Sequence, residues 1–327
     1  MTTKKDRIAI VGMGKVGTAV GFLLRSAGYR IEAIADISPA ALHKGAAYTG
    51  GKQCTRPAAA AAQADCTLIT TTDDLIAPVC AEIAAAGAIR PQAKVIHMSG
   101  AGGLELLAPA RAAGASVASI HPIQAFADVN GAIKNIPGST FGITAEEHLR
   151  QWAVQLVRDL GGNPFFVPED DKPLYHAAAC IASNYLVTLL HAVEQIYLSL
   201  GLEPEEAIRS VWPLVKGTMN NIEARGTVQS LTGPIVRGDT GTIRKHVAAF
   251  RDKLPSLLPL YRELGMLTAD IGLTRHCLSA EKAAQMKEIL KGGVYEHSNP
   301  EQGDLRYRPY RPANEATGRE SNDDHRL

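Results

Sequence analysis

Aromatic side chains are scarce, at 5%, and neither sign of charge is in excess: 34 basic and 33 acidic residues leave a formal net charge of +1. The first shortage leaves few rings on which bases could stack. The second leaves no broad positive face for a phosphate backbone, so no nucleic acid partner is expected. The five cysteines (Cys54, Cys66, Cys80, Cys180 and Cys277) are scattered, odd in number and without a CxxC pair. That excludes a disulfide framework, gives no zinc-ligand spacing and leads us to expect no metal; reduced thiols suit a cytoplasmic chain. Long uninterrupted apolar runs are missing too. The nearest candidate, the stretch from Lys172, is broken by His176, Asn184, His191 and Glu194, so no membrane partner is expected. The opening "MTTKKDRIAIVGMG" sets lysines before an apolar run, but the run breaks at once into glycines, unlike a secretory leader.

What is present is apolar material for a large core: 46% of 327 residues, enough for about two domains. Through the first half, short β-rich runs ("RIAIVG", "RIEAIAD", "CTLITTT", "AKVIHMS", "SVASIHP", "STFGIT", "PFFVP" and a weaker "KQCT") alternate with alanine-rich helical runs. The strands are apolar throughout rather than alternating, as in strands covered on both faces. Ser38 and Pro39 read as the N-cap and first residue of a helix. The pattern predicts an α/β fold, a Rossmann-type mostly parallel sheet, followed by an all-helical C-terminal domain. The change falls at "VPEDDKPLY", so the expected domains are 1–168, 169–296 and a polar, proline-rich tail 297–327. The tail buries too little to order itself, or else wraps a partner through Tyr307 and Tyr310.

The sharpest local pattern is "VGMGKVG" between a strand and a helix. Gly12 permits the tight turn, Gly14 lets backbone approach a pyrophosphate, and Gly17 lets helix pack on strand. Met13, Lys15 and Val16 complete a loop whose N–H groups open a helix toward phosphate. Asp36 ends the next strand about 20 residues on, where an acid accepts from an adenosine ribose. The expected cofactor is NAD or NADP. The carboxylate favours NAD, while His43, Lys44 and Arg56 nearby could supply positive charge.

Ligands of such sheets lie beyond the carboxyl ends of the strands. Three loops belong there: "TTTDD" with Thr71 and Thr72, "MSGAGG" with Ser99 and Gly100, and "HPIQAFAD" with His121. Asp73 and Asp74 read equally as helix caps. His121 follows an apolar strand and could exchange a proton beside a nicotinamide, or bond a loop carbonyl. "KPLYHAAACIASNYLVTLLHAVEQIYL" is apolar almost all round, so a central, buried helix is expected. Its His176, Cys180, Ser183, Asn184, Val187 and His191 share one stripe, which would floor a substrate cleft or form an interhelical network. In "LTGPIVRGDTGTIRKH", Arg237 could hold a substrate carboxylate, or pair with Asp239 to brace its own loop.

The segments "VGMGKVGTAV", "SIHPIQAFAD", "YHAAACIASNYLVTLLHA" and "LTGPIVRGDTGTI" resemble those of Rossmann-like proteins with a C-terminal all-helical domain of unknown function, provisionally described as oxidoreductases. The resemblance covers roughly residues 7–290. Wider relatives include pyrroline-5-carboxylate reductase, ketopantoate reductase and deazaflavin-dependent NADP reductases. It implies a two-domain subunit and a homodimer formed through the helical domain. In hydroxy-acid relatives a lysine on the first long helix serves in catalysis, with an asparagine one or two turns on. Asn184 matches the asparagine. His176 or Cys180 stands where the lysine is expected, and Lys172 falls too early.

The combined expectation is an NAD(P)-dependent oxidoreductase acting on a small, carboxylate-bearing carbonyl, imine or alcohol. His121 or His176 would handle the proton, Asn184 would orient the substrate, and Arg237 would take its anionic group. The alternative is a non-catalytic dinucleotide-binding sensor or assembly protein, motivated by the missing lysine and the polar tail.

Overall fold

The first strand explains why the sheet is covered on both sides. In β1 (Arg7–Val11), Ile8 and Ile10 face one way, Ala9 and Val11 the other, and all four are buried. Successive side chains of a strand point to opposite faces, so an all-apolar strand needs a layer on each. The computed structural model describes residues 5–292, and the tail expected at 297–327 lies outside them.

The strands β1, β2 (Arg30–Ala35), β3 (Lys52–Cys54), β4 (Cys66–Ile69), β5 (Lys94–His97), β6 (Ser116–Pro122), β7 (Thr140–Ala145) and β8 (Asn163–Phe166) form one sheet of order β3-β2-β1-β4-β5-β6-β7-β8. Every pairing is parallel except β6 with β7. The helices between them are α1 (Lys15–Ser26), α2 (Pro39–Thr49), α3 (Pro57–Ala61), α4 (Asp73–Ala85), α5 (Ala108–Ala112), α6 (Val129–Asn135) and α7 (Arg150–Asp159). One apolar layer joins Ile10, Leu24, Ile34, Leu68, Phe141 and Leu156; the other joins Val11, Ile69, Ile76, Ile83, Leu107 and Val117. Ser38 caps α2 by accepting from the Ala41 N–H, as its sequence predicts.

Register brings the chemistry to one edge. Cys54, Ala35, Val11, Ile69, His97 and Ser119 are paired in one continuous row across six strands. Asp36, Gly12 and Thr70 each follow directly on a member of that row. Ser99 and His121 come two residues after theirs, and so does Thr71. Strand order reverses on either side of β1, and there the row opens the crevice in which doubly wound sheets take ligands.

The long helix differs from expectation. It comprises α8 (Lys172–Cys180), a π-helical turn (Ile181–Tyr185) and α9 (Leu186–Ser199). Lys172 is its one buried residue; Leu174, Ile181, Tyr185 and Val187 are exposed. The central, buried helix read from its apolar composition is therefore not found within a single chain, because composition does not say which surface covers an apolar face. Nor is the polar stripe continuous: a π-turn advances less per residue than an α-turn and so shifts the phase after Ile181. By length and composition Glu169–Ser199 could also cross a membrane, although His176, Asn184, His191 and Glu194 interrupt it. Its first turn instead carries Lys172 and Tyr175 onto β6.

The chain divides into two compact units, Met1–Val187 and Thr188–Leu327, within this helix and beyond the boundary expected near residue 168. The second unit contains α10 (Pro204–Ser230), α11 (Thr240–Lys253), α12 (Leu258–Thr274) and α13 (Ala280–Lys291). Ile243, Val247, Leu258, Ala269, Met286 and Leu290 form its core. Gly226, at φ 76°, kinks α10.

Phe141 is the largest fully buried side chain of the first unit. Phe141→Ala should cost about 3–5 kcal/mol of unfolding free energy, measured by denaturant titration. A cost below about 1 kcal/mol would contradict a close-packed layer here.

Candidate active site

The glycine turn is built as a cradle. Gly12 has φ +99°, and a Cβ there would meet the Thr70–Thr71 backbone at 2.7 Å. A Cβ on Gly17 would strike the Gly12 carbonyl, so α1 could not start so close to β1 with any other residue. At Gly14 a Cβ would meet nothing within 4 Å: the turn faces open space there. Gly14 begins α1 without any side-chain cap, leaving first-turn N–H groups for a ligand.

A cavity of about 270 Å³ opens at this point, lined by Gly12, Gly14, Asp36, Ile37, Thr71 and Leu75 among others. Asp36 accepts from the Met13 N–H (2.6 Å) and the Ser38 N–H (2.7 Å), which fixes its carboxylate at the rim. Each oxygen keeps lone-pair capacity for a ligand hydroxyl. Ile37 beside it is 92% exposed, an apolar side chain held out over the opening. The Thr71 hydroxyl is buried and, among the described residues, has no hydrogen-bond partner. An orphaned hydroxyl, an uncapped helix start and an unobstructed glycine fit a dinucleotide.

A second cluster lies farther along the same edge. His97 is fully buried; its Nε2 bonds the Gly103 carbonyl (3.0 Å) and its Nδ1 accepts from the Ser99 N–H (3.1 Å). The Ser99 hydroxyl donates to Asp73 (2.8 Å) and accepts from the Gly102 N–H (2.9 Å). Lys172, 1% exposed, donates to the Ser119 hydroxyl (2.9 Å) and approaches the Ser99 carbonyl (3.4 Å). Burial lowers its ammonium to about 8, against the partial support of Glu105, Glu169 and Asp73. Glu169 and Glu105 themselves cap the next turn through the Leu104 N–H (2.6 Å) and the Gly103 N–H (3.1 Å).

One helical turn past Lys172, the Tyr175 hydroxyl lies 2.9 Å from His121 Nδ1. Spacing of i, i+3 on the helix meets i, i+2 on the strand: Lys172 and Tyr175 reach Ser119 and His121. Gly142 is what admits the ring, since a Cβ there would collide with the Tyr175 hydroxyl. Burial pushes that hydroxyl up to about 12, opposed by a backbone hydrogen bond from Gly142. Burial, then His176 and Lys172, lower His121 to about 4, so it is neutral near pH 7. A protonated phenol carrying the Gly142 N–H on its oxygen donates to Nδ1. From that network we assign the single imidazole proton to Nε2. His176 stacks edge-on at 5.8 Å between ring centres, and its Nδ1 lies 3.9 Å from the Cys180 sulfur.

The sequence-predicted residues therefore divide. Gly12, Met13, Gly14, Lys15, Val16, Gly17, Asp36 and Thr71 form or adjoin the glycine-turn cradle, with Thr72 as the N-cap of α4. Ser99, Gly100, His121 and His176 gather in the second cluster. Asp73 does not cap α4 with its side chain but receives the Ser99 hydroxyl. Asn184 sits in the π-turn, and His191 pairs with Glu194 at 3.0 Å. Arg237 belongs to the second unit, where it is exposed; its neighbour Asp239 caps α11 through Thr242. Lys172, too near the helix start for the lysine of hydroxy-acid relatives, faces β6 and joins the second cluster.

Residues 1–122 match a Rossmann-like domain, and residues 139–268 match a domain of unknown function, DUF2520. The chain joins a Rossmann-like domain to a DUF2520 domain. No curated protein matches it. A solved protein from Thermotoga maritima is 26% identical, with a TM-score of 0.65 over 82% of this chain and 99% of its own. A Bacteroides fragilis protein provisionally named an NADP oxidoreductase is 18% identical, with a TM-score of 0.66 over 82% and 98%. A pyrroline-5-carboxylate reductase from Coxiella burnetii is 16% identical, with a TM-score of 0.54 over 88% and 99%. The last two are likenesses of fold. His121 comes from the Rossmann-like segment, while Gly142, Lys172, Tyr175 and His176 come from the DUF2520 segment.

His97 and His121, both lowered to about 4 chiefly by burial, give the cluster a pH signature. In the unfolded chain they protonate below about 6.5; in the folded chain they resist until about 4. Their contribution to stability is complete above pH 6.5 and is lost as pH falls toward 4. Denaturation midpoints between pH 7.5 and 4.5 should fall less steeply for His121→Asn than for the unaltered chain. Equal slopes would contradict a neutral, half-buried His121.

Proposed function

We propose that the chain is a nicotinamide-dependent oxidoreductase acting on a small carbonyl, imine or alcohol. The observation that carries this reading is a neutral imidazole, oriented by Tyr175, on the same sheet edge as an unobstructed glycine turn. When bound, the cofactor supplies or accepts the hydride. The chain's own residues do the rest. Gly12, Gly14 and the first turn of α1 hold the pyrophosphate, and Asp36 takes the adenosine ribose. The Nε2–H of His121 donates to the substrate oxygen or nitrogen on which charge develops. A neutral imidazole suits that task, since its hydrogen bond polarises the substrate without a buried positive charge.

Related folds support the class: a Plasmodium falciparum pyrroline carboxylate reductase with NADP bound is 13% identical, with a TM-score of 0.52. For this chain we favour NAD. A carboxylate fixed by two backbone N–H groups repels a 2′-phosphate, and among the described residues no lysine or arginine lines the cavity. Asn184, in the π-helical turn of the long helix, is proposed to orient a carboxylate-bearing substrate. A homodimer through the helical region would cover Ile181, Tyr185 and Val187. Five free thiols suit a reducing compartment such as the cytoplasm. The non-catalytic alternative, motivated by the missing lysine and the polar tail, is the second reading; cofactor binding without turnover in the screen below would favour it.

Turnover can be screened by NADH and NADPH absorbance with cyclic imines and 2-oxo acids. On a compound that reacts, His121→Ala should lower kcat by about 10²–10³ and leave the KM for NADH nearly unchanged. Full activity in both His121→Ala and His176→Ala would overturn the assignment. Asp36→Ser should weaken NADH binding about tenfold and improve NADPH binding, measured by calorimetry. An unchanged preference would contradict the role given to Asp36.

A further inference from the structure

The Ser99–Gly100 peptide is held from one side only. The Ser99 carbonyl accepts from the Ser119 hydroxyl (3.1 Å) and is approached by the Lys172 ammonium (3.4 Å). In a trans peptide the N–H points opposite to the carbonyl, so the Gly100 N–H is turned away from Lys172. Gly100 is buried, yet its N–H has no acceptor among the described residues. Beyond the exposed Ala101, the Gly102, Gly103 and Leu104 N–H groups donate to Ser99, Glu105 and Glu169. A buried, unpaired backbone donor is costly and uncommon in a folded chain. Gly100 also lies against both imidazoles. A Cβ there would come within 2.9 Å of His121 Nε2 and would strike the His176 ring. His121 Nε2 likewise has no partner among the described residues.

We infer that Lys172 is a positioning residue: by anchoring the Ser99 carbonyl it holds out the Gly100 N–H as a second donor, beside His121 Nε2, to a carbonyl oxygen of the bound ligand. This rests on the nicotinamide-dependent reading above. Lys172 is buried and directs two of its three N–H donors at Ser99 and Ser119, so it acts through the loop. Preorganised donors of this kind need no rearrangement as charge builds on the oxygen, which is why the anchor matters. Two oxygens share the required chemistry, the carboxamide of the nicotinamide and the carbonyl of the substrate.

The test follows backbone amides by NMR in ¹⁵N-labelled full-length protein, with NAD⁺ alone and with NAD⁺ plus pyruvate as an unreactive carbonyl. The Gly100 amide should shift downfield. A shift with NAD⁺ alone identifies the carboxamide, and a shift only after pyruvate identifies the substrate carbonyl. Lys172→Met should lose the shift while holding NAD⁺ within about threefold of the unaltered affinity, because phosphate and ribose are held elsewhere. Ser119→Ala, which keeps the lysine, should lose part of it and covers the case in which Lys172→Met does not fold. If Gly12 and Gly14 respond but Gly100 does not, or if both variants keep the full shift, the inference is overturned and the dinucleotide reading stands. If Gly12 and Gly14 do not respond either, both fall.

Discussion

The arrangement of the site depends on one buried ammonium. Lys172 brings a positive charge into the first unit and, among the described residues, meets only a hydroxyl and a carbonyl within hydrogen-bond reach. Burying a charge without a directly paired counterion is costly. Here the cost is moderated by three carboxylates at longer range, Glu105, Glu169 and Asp73, and it shows in the lowered ammonium. In return, Lys172 ties the first turn of α8 to β6 and to the loop after β5. With Lys172 fixed, Tyr175 is delivered to His121 and His176 to Gly100.

This coupling joins two segments that look independent in sequence. The Rossmann-like segment supplies the glycine turn, Asp36 and His121. The DUF2520 segment supplies Gly142, Lys172 and Tyr175. The compact unit nevertheless runs to Val187, and the start of the long helix is tied to β6 through Lys172 and Tyr175. The DUF2520 segment thus completes the electrostatic environment of a histidine it does not contain.

Legibility in the sequence followed the range of the interaction. The glycine turn and Asp36 were readable because their geometry is local: a strand, a turn, a helix and an acid at a set distance. His121 was visible as a histidine ending an apolar strand, but its partner is 54 residues away and had no signal of its own. Gly142 carried a faint one, a glycine inside an apolar strand where backbone or side chain approaches closely. Lys172 was read against its neighbours on the helix, where it comes too early; its meaning lies in the strand it faces. The apolar helix was legible as apolar but not as exposed. The π-turn at Ile181–Tyr185 left no composition cue, and it broke a stripe drawn on α-helical spacing.

The most direct test of the account is a crystal structure of the chain with NADH bound. Phosphates should lie on the Gly12–Gly14 turn and the ribose on Asp36. The nicotinamide C4 should face His121 Nε2 across a gap of about one substrate atom, with reacting atoms some 3–3.5 Å apart once substrate is present. A dinucleotide bound elsewhere, or a nicotinamide directed away from His121 and Gly100, would contradict it.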